Sequence, residues 1–214
     1  TTRYQATVVS AQLNPVVAVY TGNSLDSLVA VSSAVSTATD AEVNNAIAGF
    51  DARALRLPEV AQQAVQTFEV DFAALLETKR ALLEGGGVAL PASVHHVACD
   101  FGTRFEGRLT EELVASGFRS GEEAVFVFEG VLAYIPQEAI DRSFGFMASV
   151  SAPGSRLVFD FSDYVLGPDW APDLVRRAGF TAFQEVACDE LWRRHLPGEP
   201  SPSARFVKLG IATK

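Results

Sequence analysis

Cysteine is scarce: 214 residues hold only Cys99 and Cys188. A disulfide framework in a secreted chain of this size would use more of them, so the two read as reduced, buried thiols of a cytosolic protein. Histidine is scarcer than usual too, and His95, His96 and His195 form no metal-ligand spacing with the cysteines; no metal is expected. No apolar run reaches membrane-spanning length and no secretory leader opens the chain, so no membrane partner is expected. Thr1-Thr2-Arg3-Tyr4 lacks an initiator Met, and the start reads as processed or trimmed. A basic patch is missing as well. Lys and Arg number 17 against 26 Asp and Glu, a formal charge of −9, and an acidic surface repels phosphate backbones, which argues against nucleic acid as a partner.

What is present is an ordinary globular composition, 48% apolar and 20% charged, long enough for one domain with a full core and cramped for two. Apolar, β-rich runs alternate with helical patterns, the signature of a parallel sheet covered by helices in an α/β fold. Strands are predicted at 15–20, 67–70, 94–98, 124–128 and 156–161. Helices are predicted at 25–37, 72–83, 111–116, 137–150 and 172–178. The segments 183–186 and 206–212 fit an antiparallel closing hairpin. Gly85-Gly86-Gly87 stops the second helix, as glycine does beyond a helix C-terminus.

In doubly wound sheets ligands bind beyond the carboxyl ends of the strands. Four strand ends carry chemistry: the glycine turn around Gly49, Glu69 and Asp71 after Phe68, Asp100 with Phe101 after Ala98, and Glu129 after Phe128, with Tyr134 close behind. The acids Glu69 and Asp71 fall about twenty residues after Gly49, where a carboxylate after the second strand can grip a ribose. Singly, each acid has a plainer explanation as a helix N-cap or turn residue, and Tyr134 as a core tyrosine with its hydroxyl at the rim. Three acids after three successive strands, behind a glycine turn, point to a ligand site. The pair His95-His96 lies in a strand pattern and reads as structural, and His195 as a surface residue.

The stretches GFDARALRLPE, FEVDFAALLETKRALL, VFEGVLAYIPQEAIDR and SAPGSRLVFDFSD, in this order and spacing from Val43 to Asp163, resemble the bacterial leucine carboxyl methyltransferase-like O-methyltransferases. GFTAFQEVACDELWRRHLPG resembles the C-terminal part of the same family. The resemblance implies a Rossmann-like class I methyltransferase sheet, mostly parallel with an antiparallel terminal strand and helices on both faces. It implies one domain over residues 1–214, with a shortened N-terminal cap and a shortened lid at about 163–179. It also implies S-adenosylmethionine as cofactor. By the same resemblance Gly49 lies under the methionine moiety, Asp71 binds the ribose, Asp100 and Phe101 frame the adenine and Glu129 lies near the methionine amino group. Arg3 pairs with the cofactor carboxylate, and Tyr134 faces the acceptor and, with Glu129, is the candidate for catalysis. The implied reaction is O-methylation of a small carboxylate or phenol, with a homodimer as a compatible assembly.

One residue departs from that pattern. Ile47 stands where the family turn has its first glycine, and a β-branched side chain crowds a loop that needs close backbone approach. Two assignments of the first strand and its loop stay open: 43–47 leading to Gly49, favoured by the distance to Glu69 and Asp71, and 16–20 leading to Thr21–Asp26. Ile47 and the short lid also leave open a methyltransferase-fold chain that no longer methylates, as a cyclisation or rearrangement catalyst or a non-catalytic partner subunit.

Overall fold

A computed structural model of the chain describes residues 4–9, 20–21, 29–30, 53–57, 60, 65–132, 134–162, 166–202 and 204–214. Its elements in order are β1 (Tyr4–Val9), β2 (Tyr20–Thr21), β3 (Val29–Ala30), α1 (Arg53–Arg56), β4 (Gln66–Asp71) and α2 (Ala73–Gly85). Then come β5 (Val94–Ala98), α3 (Glu106–Ala115), β6 (Ala124–Glu129), α4 (Gln137–Val150), β7 (Arg156–Phe161), α5 (Trp170–Ala178), β8 (Ala182–Ala187), α6 (Cys188–His195) and β9 (Lys208–Thr213).

Seven strands form one sheet in the order β5-β4-β1-β6-β7-β9-β8. The first five are parallel, and β9 runs antiparallel to both β7 and β8. The chain builds outward from β1 through β4 to β5, then returns to β6 and builds the other way. The switch point therefore lies between β1 and β6, where an open α/β sheet leaves a crevice at its carboxyl edge.

Alternation along the strands separates two faces. Phe68, Val70, Val97, Phe126, Phe128, Leu157, Phe159, Phe161 and Ala212 point to one, where they join buried residues of α3, α4 and α5 in the main core. Helix α4 buries Ala139, Ile140, Phe144, Met147 and Ala148, and the ring of Phe144 meets Phe128 and Phe159 edge-on at 5.9 and 4.9 Å. The other face carries Glu69, Asp71, Glu129 and Asp160 at alternate strand positions. It is covered in part by α2, through Leu76, Lys79 and Leu83, and by α6, whose Leu191 packs with Val158, Val186 and Leu209.

The strands at 94–98 and 156–161 and the helix at 137–150 lie where the sequence predicts them, and the closing hairpin is formed by β8 and β9. Four expectations need correction. The strand between β4 and β6 is Tyr4–Val9, paired in parallel with both, so neither 16–20 nor 43–47 fills the first-strand position. Polar Gln5 and Thr7 disguise its apolar content. The helix expected at 25–37 is overturned at Val29–Ala30, which pair antiparallel with Tyr20–Thr21; Val29 suits an extended ladder as well as a helix. Helix α3 begins at Glu106, five residues before its expected start. Helix α6, which was not expected, is amphipathic and carries Asp189–Arg193 at 2.8 Å and Glu190–Arg194, both at i,i+4. It leaves His195 half-buried rather than on the surface.

Candidate functional site

The register brings the acids together. Val8 pairs with both Val70 and Phe128, and Phe128 with Phe159. One residue further on, Asp71, Val9, Glu129 and Asp160 form the next rung, at the carboxyl ends of four parallel strands. Partners in register point to the same face, so the three carboxyl side chains share one side of the sheet, with Asp71 and Glu129 two strand spacings, roughly 10 Å, apart. The peptide N–H of Cys99 donates to the carbonyl of Asp71 at 2.9 Å, which ties the end of β5 to this rung and sets Asp100 and Phe101 beside it.

Each group has a defined environment. Asp71 accepts the Phe72 N–H at 2.7 Å. Burial pushes its carboxyl up from 3.8 to about 6, against the lowering effects of that hydrogen bond and of Lys79. Asp100 is exposed and accepts the Gly102 N–H at 2.8 Å, closing a turn. The Phe101 ring is held edge-on by Phe105 at 5.0 Å and by Phe128 at 6.0 Å. Glu129 is gripped by the Arg53 guanidinium at 2.8 Å, with both side chains largely buried. Asp160 accepts the Gly130 N–H at 2.6 Å, and burial raises its carboxyl. Tyr134 follows in the loop before α4, exposed, its N–H bonded to the carbonyl of Val131 at 2.9 Å. Gly49, Ile47, Arg3 and the alternative loop at 22–26 lie outside the described residues.

A model of the leucine carboxyl methyltransferase family matches residues 28–148. The chain belongs to the leucine carboxyl methyltransferase family. A relative from Mycobacterium avium (strain 104), named for S-adenosyl-L-methionine-dependent methyl transfer, is 39% identical over 147 residues, 69% of this chain and 41% of its own length. One of the same name from Mycobacterium tuberculosis (strain ATCC 25177 / H37Ra) is 35% identical over 126 residues, 58% of this chain and 39% of its own. The chain thus spans about two fifths of the length of these curated relatives. A solved structure from Thermobifida fusca YX, named as a methyltransferase, superposes with a TM-score of 0.52 at 22% identity, covering 70% of this chain and 63% of its own. That likeness agrees with the sheet order in assigning the class I methyltransferase fold.

Within this family member, Asp71, Asp100, Phe101 and Glu129 stand along one edge, as strand-end placement implied. Glu69, counted with the ribose acids, does not reach the edge. It is buried one turn of pleat below Asp71 and meets Lys79 Nζ at 2.5 Å. His96 Nε2 lies 3.0 Å from the same Glu69 oxygen, in a geometry that leaves the ring nitrogen without a hydrogen bond. An acid buried against a lysine of the helix that covers its own face is a structural pair, not a group offered to a ligand. His95 is structural too, stacked on Phe68 at 5.0 Å and 2.9 Å from Gln66 Oε1. Two residues of the edge carried little sequence signal of their own. Arg53 sits inside GFDARALRLPE, but only the fold turns it onto Glu129. Asp160 sits inside a strand, and only the register shows that it completes the rung. Both thiols are free, half-buried and raised by burial, Cys99 to about 12 and Cys188 to about 11. Among the described residues no three His, Cys, Asp or Glu cluster as a metal site, and no helix is long and apolar enough to cross a membrane.

Proposed function

We propose that this chain carries the cofactor site of an S-adenosylmethionine-dependent O-methyltransferase whose acceptor is a small carboxylate or phenol. The observation that carries the reading is the acidic rung: Asp71, Glu129 and Asp160 on one face, beside the switch point of a class I sheet, in a member of this family. S-adenosylmethionine bears a sulfonium, an ammonium and a carboxylate, and an edge with three carboxylates, one of them held by Arg53, is chemically suited to its two cationic groups. When bound it would supply an electrophilic methyl group.

Asp71 would accept hydrogen bonds from the ribose hydroxyls, a role its half-buried carboxylate suits once ionised. Asp100 and Phe101 would frame the adenine. Glu129, oriented by Arg53, would face the methionine ammonium, and Gly49 and Arg3 would serve the methionine moiety and its carboxylate. Tyr134, exposed at the same edge, would face the acceptor and orient its oxygen. Proximity in a dry site supplies most of the acceleration in such displacements, so no dedicated nucleophile is needed. Ile47 in the glycine loop favours a second reading, a family member that keeps the site without methylating.

Calorimetric titration with S-adenosylmethionine and S-adenosylhomocysteine separates these readings from a chain with no such site. Saturable binding is expected, weakened about tenfold or more by Asp71→Ala, since a hydrogen bond to a charged group is worth roughly 1.5–3 kcal/mol. Radiolabel transfer to a panel of carboxylates and phenols then distinguishes the enzyme from the non-methylating alternative. Absence of binding to either ligand would overturn the first two readings together.

A further inference from the structure

We propose that Asp160 is a positioning residue for the amino-acid end of the cofactor, acting through the turn that carries Glu129; the proposal rests on the cofactor reading above. Its Oδ1 accepts the N–H of Gly130 at 2.6 Å, the residue that follows Glu129. Gly130 has φ +67°, a left-handed conformation that ends β6 and turns its N–H out of the ladder. A carboxylate from the neighbouring strand takes up that donor, and a charge-assisted bond holds it more firmly than a neutral acceptor would. Asp160 thereby sets the direction in which the chain leaves Glu129.

The use of a charged group here calls for an explanation. One N–H could be satisfied by serine or asparagine without desolvating a charge. Instead, β7 places a carboxylate one position beyond the Phe128–Phe159 pair, on the same face as Glu129, where burial raises its carboxyl. Nearby Cys188, the first residue of α6, supplies no counter-charge. Its thiol is pushed up to about 11, by burial first and then by Asp160 and Glu129, so it stays protonated and uncharged near neutrality. Glu129 has Arg53 as a counter-charge. The arrangement as a whole suits a further cation, and the ammonium of the methionine moiety is the cation that Glu129 is proposed to meet.

The test compares two ligands that differ at that end: S-adenosylhomocysteine, which bears the amino-acid group, and 5′-methylthioadenosine, which lacks it. Calorimetry on the full chain should show Asp160→Ala, which removes the acceptor for the Gly130 N–H, weakening S-adenosylhomocysteine about tenfold while methylthioadenosine affinity stays within about twofold. Asp160→Asn, which keeps an oxygen for the Gly130 N–H, should recover at least part of that loss, and thermal melting confirms that each variant is folded. Equal weakening of both ligands would make Asp160 a general support of the fold and overturn the proposal, as would unchanged affinity for S-adenosylhomocysteine. A wild-type chain that binds methylthioadenosine and not S-adenosylhomocysteine would overturn this proposal alone. One that binds neither would overturn the cofactor reading and this proposal with it.

Discussion

Asp71, proposed to bind the ribose, holds its carboxyl in a costly place. Its carboxyl is raised to about 6 in the folded chain against 3.8 in the unfolded one, so between those values the folded state holds the extra proton. Its contribution to stability is fully present below pH 4 and is lost as the pH rises through about 6. The shift corresponds to about 2 kcal/mol after allowance for the part of the group that stays wet. Asp71→Asn keeps an acceptor for the Phe72 N–H and removes the charge. It should therefore be more stable than wild type to urea at pH 7 by up to that amount, with the gap closing by pH 4, while losing cofactor affinity. Equal urea midpoints at pH 7 would contradict the burial argument. Glu69 and Lys79 are the opposite case, a buried ion pair with His96 beside it. Lys79→Met strands Glu69 and should cost about 3–5 kcal/mol, whereas the double variant Glu69→Leu/Lys79→Met should recover most of it, since apolar replacement of a buried pair is often neutral. A chemical-denaturation cycle on wild type, Lys79→Met, Glu69→Leu and the double variant measures this.

At the scale of elements, the reversed strand β9 is held by a close approach. A Cβ on Gly210 would stand 2.9 Å from Phe159 Cζ and 2.9 Å from Phe183 Cε2, between two rings that stack at 6.0 Å. The Phe159 ring cannot retreat easily, because it is fully buried against Phe144 and Phe161. Gly210→Ala should thus cost about 1–3 kcal/mol by overpacking, read as a lowered melting temperature with the far-ultraviolet spectrum unchanged; a melting temperature at or above that of wild type would mean that the rings give way. Helix α6 is different in kind. Its surface ion pairs are worth only a few tenths of a kcal/mol each, so it is kept in place by Leu191 in the small cluster with Val158, Val186 and Leu209.

For the whole molecule, the decisive element is β1. It joins β4 and β5 on one side to β6 through β8 on the other, and through Val9 and its neighbours it brings Asp71 and Glu129 onto one rung. Ala6→Pro removes a ladder N–H from a strand bonded on both sides, a substitution that sheets tolerate only at edges and bulges. It should cost about 3 kcal/mol or more and abolish cofactor binding, seen as an early, broad melting transition together with a flat calorimetric titration. A variant that melts and titrates like wild type would show that β1 does not join the halves.

Local pattern decided a good deal of this protein. The run 124–128 is a strand because it is wholly apolar, 94–98 and 156–161 because they are rich in β-prone residues and bounded by turn residues, and 137–150 is a helix because its apolar residues recur around a cylinder and Pro153-Gly154 follow it. The strand patterns put Asp71, Asp100 and Glu129 at strand ends. Partner choice was decided by tertiary structure alone. Glu69 and Asp71 look alike in sequence, two residues apart on the same face, yet one is buried against Lys79 and the other ends at the edge. Nothing local marks Tyr4–Val9 as the central strand in preference to 16–20 or 43–47, because parallel pairing depends on distant strands whose register only the assembled sheet sets. Arg53 and Asp160 join the site for the same reason: a hydrogen bond across 76 residues or across 30 is specified by geometry that no short stretch of sequence contains.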